Sequence, residues 1–241
     1  IDNLITCDMG GTSTDVCLIE RLNVPVTSEQ MIGDYANRTP QIAVNAVGAG
    51  GGSIAWIDRG DILMVGPQSA GASPGPACYG KGGVEPTVTD ANLLLNRLHD
   101  GVRLAGRIPL DRKRALAAVR SIAERLPGLD EFALAEGILR IAVARMVSAI
   151  KQISISNGYD PRDFTLVAFG GAGPMHATAI AEELDMQRVV VPFEDPRRPR
   201  LQRLGDGLRV ERVGRAGEAR RRNEIPAYQT ALALYAGDLL P

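Results

Sequence analysis

Short apolar runs separated by glycine-containing or polar turns occur over the first part of the chain and predict antiparallel β-strands. Runs of this kind at residues 3–8 and 14–20 are joined by a Gly-Gly turn, which indicates a β-hairpin. A third strand is predicted at 41–47. Residues 54–58 and 62–65 flank a short polar turn and predict a second hairpin.

The middle of the chain changes to a spacing of three to four residues, which predicts helices. Thr89 or Asp90 is placed to cap a helix that runs through Leu98, and a helix at about 111–126 begins with an aspartate. The longest helix is predicted at 130–156. Its single apolar stripe contains Leu134, Ile138, Ile141, Met146, Ile150 and Ile153.

The pattern then becomes strand, glycine turn, helix and strand. The strands are predicted at 165–169 and 188–191, and the helix between them at 174–184. This order is typical of a parallel β-α-β unit. Hairpins followed by a β-α-β unit predict a mixed sheet of the α/β class, interrupted by a long irregular loop at 66–86 with six glycines and four prolines.

Composition excludes several classes of function. The formal net charge is −1, which gives no electrostatic case for binding nucleic acid or an anionic membrane. No apolar run reaches the roughly 18 residues of a membrane span. The three cysteines are too scattered for a disulfide framework or a zinc site, so we expect a reducing, cytoplasmic protein.

The segment 8–15, Asp-Met-Gly-Gly-Thr-Ser-Thr-Asp, is the strongest candidate for chemistry. Adjacent glycines allow a sharp turn whose N–H groups converge on phosphate oxygens, and hydroxyls add further donors. The predicted cofactor-binding residues here are Gly10, Gly11, Thr12 and Ser13. Asp8 is the predicted Mg²⁺ ligand and, with Asp15 across the hairpin, a predicted catalytic residue. The alternative is a polar hairpin that binds no ligand.

Two further glycine turns follow predicted strands. Gly50 and Gly51 lie in the first turn, and either a tight turn or a cofactor contact explains them. In the second turn, Gly170, Gly171 and Gly173 precede a helix whose first amides favour an anion or a nucleotide. His176, in the first turn of that helix, is a candidate catalytic residue. The competing interpretation is a packing or capping histidine.

A polar cluster at 87–92 either caps a helix or turns Asp90 or Asn92 toward a cleft shared with the 66–86 loop. Cys78, in that loop, is a candidate exposed thiol. Residues 75–82 approach a P-loop but carry glycine at the Mg²⁺-binding position, and 71–75 approach a serine-hydrolase elbow but lack its strand and helix. We reject both motifs.

The motifs also resemble a known family, in the family's own order. The matching segments are Asp8–Asp15, 48–55, 65–80, 86–92 and 169–176. Together they are similar to the hydantoinase A / 5-oxoprolinase family, which includes acetone carboxylase beta-type subunits. The resemblance covers residues 1–192, which are predicted to form the ATPase domain.

This resemblance implies an actin-like ATPase fold of two ribonuclease-H-like halves with ATP and Mg²⁺ between them, of which this chain carries one half. It implies ATP-dependent opening of a small cyclic amide such as a hydantoin or 5-oxoproline, in an oligomer with a hydantoinase B-type subunit or domain. Segment 8–12 resembles the second phosphate motif of the family, and 170–173 the turn on the adenosine side. The first phosphate motif is missing. An ATP-dependent ketone carboxylase subunit and an inactive nucleotide-binding fragment remain alternatives.

Residues 193–241 depart from the family pattern. They contain ten arginines and no lysine, against seven acidic residues. Two interpretations stay open: a shifted reading frame in GC-rich DNA, which would leave a disordered tail, or a genuine divergent extension. A basic arm for nucleic acid is disfavoured because the acidic residues offset the arginines.

Overall fold

The computed structural model of the chain describes residues 1–192, apart from positions 29, 33, 34, 102, 105 and 127, together with the strand at 208–212. The rest of the segment predicted as an Arg-rich tail lies outside the described residues.

The strands are short, and most of them lie in the first third of the chain. They are β1 (Leu4–Met9), β2 (Thr14–Ile19), β3 (Val26–Thr27), β4 (Gln30–Ile32), β5 (Tyr35–Asn37), β6 (Gln41–Ile42), β7 (Asn45–Val47), β8 (Ser53–Ile57), β9 (Leu63–Ser69), β10 (Arg103–Leu104), β11 (Ile108–Pro109), β12 (Thr165–Phe169), β13 (Arg188–Pro192) and β14 (Leu208–Arg212).

Six of these strands form the main sheet, in the order β14-β13-β12-β1-β2-β7. β1 and β2 are antiparallel, whereas β1, β12 and β13 run parallel to one another. The predicted first hairpin, the predicted parallel β-α-β unit and the mixed α/β class are therefore confirmed. Because β1 and β12 are parallel neighbours, their carboxyl ends meet at one edge of the sheet.

The described residues form four α-helices: α1 (Val88–Leu94), α2 (Arg112–Ala123), α3 (Glu131–Ile153) and α4 (Gly173–Glu183). α3 and α4 pack on the main sheet, whereas α1 and α2 pack on α3. Asp111 and Asp130 accept hydrogen bonds from amides in the first turns of α2 and α3. These side chains satisfy amides that a helix start leaves without partners, which is why both boundaries agree with the sequence. α4 begins with proline in its first turn, as predicted.

α3 forms the centre of the core. Of its predicted stripe, Leu134, Ile138, Met146 and Ile150 have no exposed surface, while the other two isoleucines are partly buried. The helix packs on α1, α2 and α4 and on strands β2, β7 and β9. It therefore joins the sheet to the helices and fixes the position of α1.

Several predicted boundaries were wrong. The strand predicted at 41–47 is two strands, because β6 pairs with β3 whereas β7 joins the main sheet beside β2. α1 is capped by Thr87, two or three residues before the predicted caps Thr89 and Asp90, and ends at Leu94. Asn96 takes a left-handed backbone conformation, so the helical pattern cannot continue to Leu98.

The second predicted hairpin exists as the separate sheet β8-β9. β9 extends through Ser69, so the first residues of the 66–86 segment belong to a strand. A 3₁₀ turn at Ala77–Tyr79 orders a second part of this segment. The long loop is thus shorter than its composition indicated.

Candidate functional site

The turn between β1 and β2 presents unused amides. Gly10 N–H donates to the Ser13 carbonyl at 3.0 Å and closes the turn. Within the part of the chain that the structure describes, the N–H groups of Gly11, Thr12 and Ser13 donate no hydrogen bond. Gly11 and Thr12 are exposed, and a Cβ on Gly11 would meet no atom within 4 Å. These donors are free for an anion.

Two carboxylates lie at this turn. Asp8 and Asp15 are direct cross-strand partners in the β1-β2 hairpin. Burial, together with the charge of Asp15, raises the pKa of Asp8 above its usual value. Among the described residues, no hydrogen-bond donor reaches either carboxylate. A cation would relieve both the repulsion and the unmet acceptors.

A second glycine turn adjoins Asp8 from the neighbouring strand. Asp8 pairs with Phe169, the last residue of β12, so the next residue, Gly170, lies beside Asp8. Gly170 has a φ of +79°, and a Cβ there would overlap the carboxylate of Asp8. Ala172 N–H donates to the Met9 carbonyl at 2.8 Å. The turn that opens α4 is therefore fixed to the end of β1.

A third glycine turn packs behind the first, backbone against backbone. Gly51 N–H donates to the Gly10 carbonyl at 3.0 Å, and Gly52 N–H donates to the Gly11 carbonyl at 2.6 Å. These two bonds join residues about 40 positions apart in sequence. They hold the turn at residues 10–13, called the phosphate-type turn below, from the side that faces away from solvent.

Gly50 explains why this third turn needs glycine. A Cβ at Gly50 would lie 2.6 Å from the carbonyl carbon of Thr12, a distance that only glycine permits. The Gly50 amide donates to Ser53 Oγ at 2.8 Å, and Gly51 is likewise engaged. In this structure Gly50 and Gly51 shape the site, and neither offers the free amide expected of a cofactor contact.

The start of α1 completes the arrangement. Thr89 Oγ1 and Thr89 N–H both donate to the Gly51 carbonyl, each at 2.8 Å. The Thr89 side chain is almost fully buried. Sequence reasoning treated Thr89 only as a possible helix cap, because nothing local links it to a residue 38 positions earlier.

Asp90 is a buried cap and also a tether for the loop. Its carboxylate accepts hydrogen bonds from the Thr87 amide and hydroxyl and from the amides of Ala77 and Cys78, at 2.8–3.2 Å. Of the two interpretations of the polar cluster, capping is the one observed for Asp90. The exposed thiol expected at Cys78 was wrong, since that side chain has no exposed surface.

His176 lies in the interior of the protein. Its ring is fully buried and faces Asn92 of α1, with 3.4 Å between His176 Nε2 and Asn92 Nδ2. Burial, together with the charge of Arg97, lowers the pKa of His176 to about 3, so the ring is neutral at physiological pH. With no exposed surface, it has no direct contact with a ligand in this conformation.

The structure thus gathers most predicted site residues at one edge of the main sheet. Grouped there are Asp8, Gly10, Gly11, Thr12, Ser13, Asp15, Gly50, Gly51, Gly170, Gly171 and Gly173. A separate groove of about 1050 Å³ lies between α3 and α4, with Arg97, Arg140 and Glu182 among its lining residues. That groove does not include the glycine turns.

The carboxylates suit a cation held jointly with phosphates rather than by protein alone. Across the described residues, no group of three or more His, Cys, Asp or Glu side chains could hold a metal ion. Mg²⁺ is commonly held by one or two carboxylates while water and substrate phosphates supply the other ligands. Asp8 lies beside free amides, which fits a Mg²⁺ ion whose ligands are divided between a carboxylate, water and phosphate.

The sequence profile of the Hydantoinase/oxoprolinase family matches residues 1–195. The chain belongs to the hydantoinase/oxoprolinase family. The resemblance drawn from the five segments is thereby confirmed. Among the described residues, no helix is long and apolar enough to cross a membrane.

Curated members of this family include two subunits of larger enzymes. Caprolactamase subunit alpha of Pseudomonas jessenii is 51% identical over 193 residues, which are 80% of this chain and 28% of the relative. The acetophenone carboxylase gamma subunit of Aromatoleum aromaticum is 41% identical over 192 residues, 79% of this chain and 26% of the relative. The chain spans about a quarter of the length of these relatives.

Solved structures of the family have the same fold. The crystal structure of ATP-dependent caprolactamase from Pseudomonas jessenii matches with a TM-score of 0.73 and 51% identity, over 80% of this chain and 28% of that one. A nucleotide-free acetone carboxylase structure matches with a TM-score of 0.72 and 30% identity, over 79% of this chain and 27% of that one. The mixed sheet is that of an actin-like ATPase half, as the resemblance implied.

Proposed function

We propose that this chain supplies the nucleotide-binding part of an ATP-dependent enzyme that opens cyclic amides. One observation carries the proposal: the free amides of Gly11, Thr12 and Ser13 lie beside the unpaired carboxylate of Asp8. Converging N–H donors suit phosphate oxygens, and an adjacent carboxylate suits the accompanying Mg²⁺.

Each turn has its own role in this proposal. The 10–13 turn binds phosphate oxygens, Asp8 holds Mg²⁺ directly or through water, and Asp15 supplies a second negative charge. Gly170 and Gly171 face the adenosine side, where the start of α4 adds a favourable dipole. His176 holds α4 against α1 and does not touch substrate.

ATP would supply the phosphoryl group that converts an unreactive amide oxygen into a leaving group. The chain then has to position the phosphates of ATP and neutralise their negative charge. Rigid amides that are already oriented toward the phosphate need no reorganisation when charge develops, and they stabilise it more than water does.

The choice of a cyclic amide rests on the relatives. Caprolactamase, by its name, acts on a lactam, and it shares half of its aligned residues with this chain. We also propose a B-type partner subunit, since the relatives are named as subunits. The three free, buried thiols are consistent with a reducing cytoplasmic setting.

Calorimetric titration of the full chain with Mg-ATP tests nucleotide binding. We expect Asp8→Asn to weaken binding at least tenfold, because it removes a ligand charge at the metal. Asp2→Asn is the matched control, since Asp2 is an exposed aspartate beyond the other end of β1. Equal affinities for Asp8→Asn and wild type would contradict the assignment.

A ketone carboxylase is the second candidate, favoured by the matching fold of ATP-dependent acetone carboxylase. ATP hydrolysis by the chain with its partner subunit discriminates between the two. Stimulation by caprolactam, 5-oxoproline or a hydantoin supports ring opening. Stimulation only by a ketone with bicarbonate would contradict ring opening and support carboxylation.

A further inference from the structure

Three glycine turns meet at the candidate site, and one side chain of α1 fixes the turn in the middle. The backbone at Gly51 is held on both sides: its N–H donates to the Gly10 carbonyl, and the Gly51–Gly52 peptide accepts the hydroxyl and the amide of Thr89 at its carbonyl while its Gly52 N–H donates to Gly11. A carbonyl oxygen has two lone pairs, so Thr89 fills both of them. The peptide therefore cannot rotate without breaking buried hydrogen bonds.

The link continues from Gly51 to the free amides. Gly51 and the next residue, Gly52, donate to the carbonyls of Gly10 and Gly11. Because a peptide group is planar, the position of the Gly11 carbonyl fixes the direction of the following Thr12 N–H. Thr89 thus lies two hydrogen bonds away from a donor that faces solvent.

We infer that Thr89 is a positioning residue for the phosphate-type turn, an inference that rests on the proposed function. Its hydroxyl does not contact the nucleotide. It fixes Gly51, and through Gly51 and Gly52 it fixes the direction of the amides of Gly11 and Thr12. Removal of the hydroxyl leaves the turn intact but less well oriented, so both its rigidity and its affinity for Mg-ATP fall.

Thr89→Val is the decisive variant because valine keeps the β-branched shape and replaces only the hydroxyl, by a methyl group. Thr89→Ser restores the hydroxyl. Thr165→Val is the matched control, since Thr165 is a fully buried threonine on β12 whose Oγ1 has no hydrogen-bond partner among the described residues.

Amide hydrogen exchange of Gly51 and Gly52, without nucleotide, provides the first readout. Thr89→Val should raise both exchange rates about tenfold while amides of β1 and β12 keep theirs, as expected for a local opening. Thr89→Ser and Thr165→Val should match wild type. Unchanged exchange of Gly51 and Gly52 in Thr89→Val would overturn the positioning role.

Titration with Mg-ATP provides the second readout. Thr89→Val should bind about tenfold more weakly, with serine restoring affinity to within about twofold of wild type. Wild-type binding that Thr89→Val leaves unchanged would overturn the role of Thr89. Failure of the wild-type chain to bind would instead overturn the proposed function, and the exchange data would still decide whether Thr89 fixes the turn.

Discussion

At the scale of single residues, Asp8 is placed where folding alone does not favour a charge. Its carboxylate is partly buried, faces Asp15 across the hairpin and accepts no hydrogen bond among the described residues. Each of these features disfavours the ionised form in the absence of a ligand. The same features favour a bound cation, so Asp8 lowers the stability of the metal-free fold and contributes to cation binding.

This conflict predicts that Asp8→Asn stabilises the metal-free chain. Because the pKa of Asp8 is raised from 3.8 in the fold, the folded state binds a proton more tightly than the unfolded state. Wild-type stability therefore falls as pH rises from about 3.8 through the raised pKa of the folded state, and the loss is complete above that pKa. In EDTA near pH 7 we expect the variant to melt about 1–3 °C higher.

The gain should shrink as pH falls through the raised pKa and vanish well below 3.8, where Asp8 is protonated in both states of the wild type. Asp15→Asn should give a smaller gain, since it removes only the repulsion and leaves the burial of Asp8. Thermal melts at several pH values decide the matter. A variant less stable than wild type at pH 7 in EDTA would show that Asp8 is held by contacts within the protein.

At the scale of elements, the site depends on backbone packed against backbone. The loop at 48–53 approaches the 10–13 turn so closely that hydrogen bonds form directly between their peptide groups. Side chains on the inner surface would separate the two turns. Glycine is therefore required at some positions of the cluster and is incidental at others.

Gly50 and Gly11 separate these two cases. Gly50→Ala places a Cβ 2.6 Å from backbone atoms of Thr12, so we expect a loss of about 2–3 kcal/mol in the free energy of unfolding. Gly11→Ala meets no atom within 4 Å and should change stability by less than about 0.5 kcal/mol. Urea denaturation measures both. Equal effects of the two substitutions would contradict the packing described.

The elements that the sequence predicted well are those that local chemistry specifies. The β1-β2 hairpin, the caps of α2 and α3 and the β12-α4-β13 unit each depend on residues close together in the chain. The strand predicted at 41–47 was wrong because its two parts pair with different partners. A local run of strand-forming residues carries no information about which strand lies alongside.

The same limit applies to the site. The 8–15 segment could be recognised because its donors and carboxylates are consecutive. His176 and Asn92 are 84 residues apart, so their buried contact left no local signal. The hydrogen bond from Thr89 to Gly51 spans 38 residues and was missed for the same reason.

At the scale of the whole molecule, one connected hydrophobic core supports the candidate functional site. Buried side chains from β1, β12, α1, α3 and α4 belong to the same cluster. The three glycine turns are supported by different parts of this cluster. The turn at 10–13 connects β1 with β2, the turn at 48–53 precedes β8, and the turn at 170–173 leads into α4. Their mutual arrangement therefore depends on the cohesion of the entire core, and local stability of any one turn is not sufficient.

The cysteines can test this cohesion, because they lie in three different places. Cys7 is in β1, Cys17 in β2 and Cys78 in the 3₁₀ turn tethered by Asp90, and all three are buried. Burial, with a smaller contribution from Asp8, raises the pKa of Cys7 to about 12, and burial also raises the pKa of the other two thiols. Buried thiols of high pKa react slowly with alkylating agents.

We therefore expect none of the three to be alkylated by iodoacetamide in the native state, and all to become reactive over one urea transition. Peptide mass spectrometry after pulse labelling assigns each site, and circular dichroism follows global unfolding. Cys78 becoming reactive at lower urea than Cys7 would show that the loop and α1 open as a separate unit. In that case Thr89 would leave Gly51 before the sheet unfolds, and the phosphate-type turn would lose its support while the β1-β2 hairpin stayed folded.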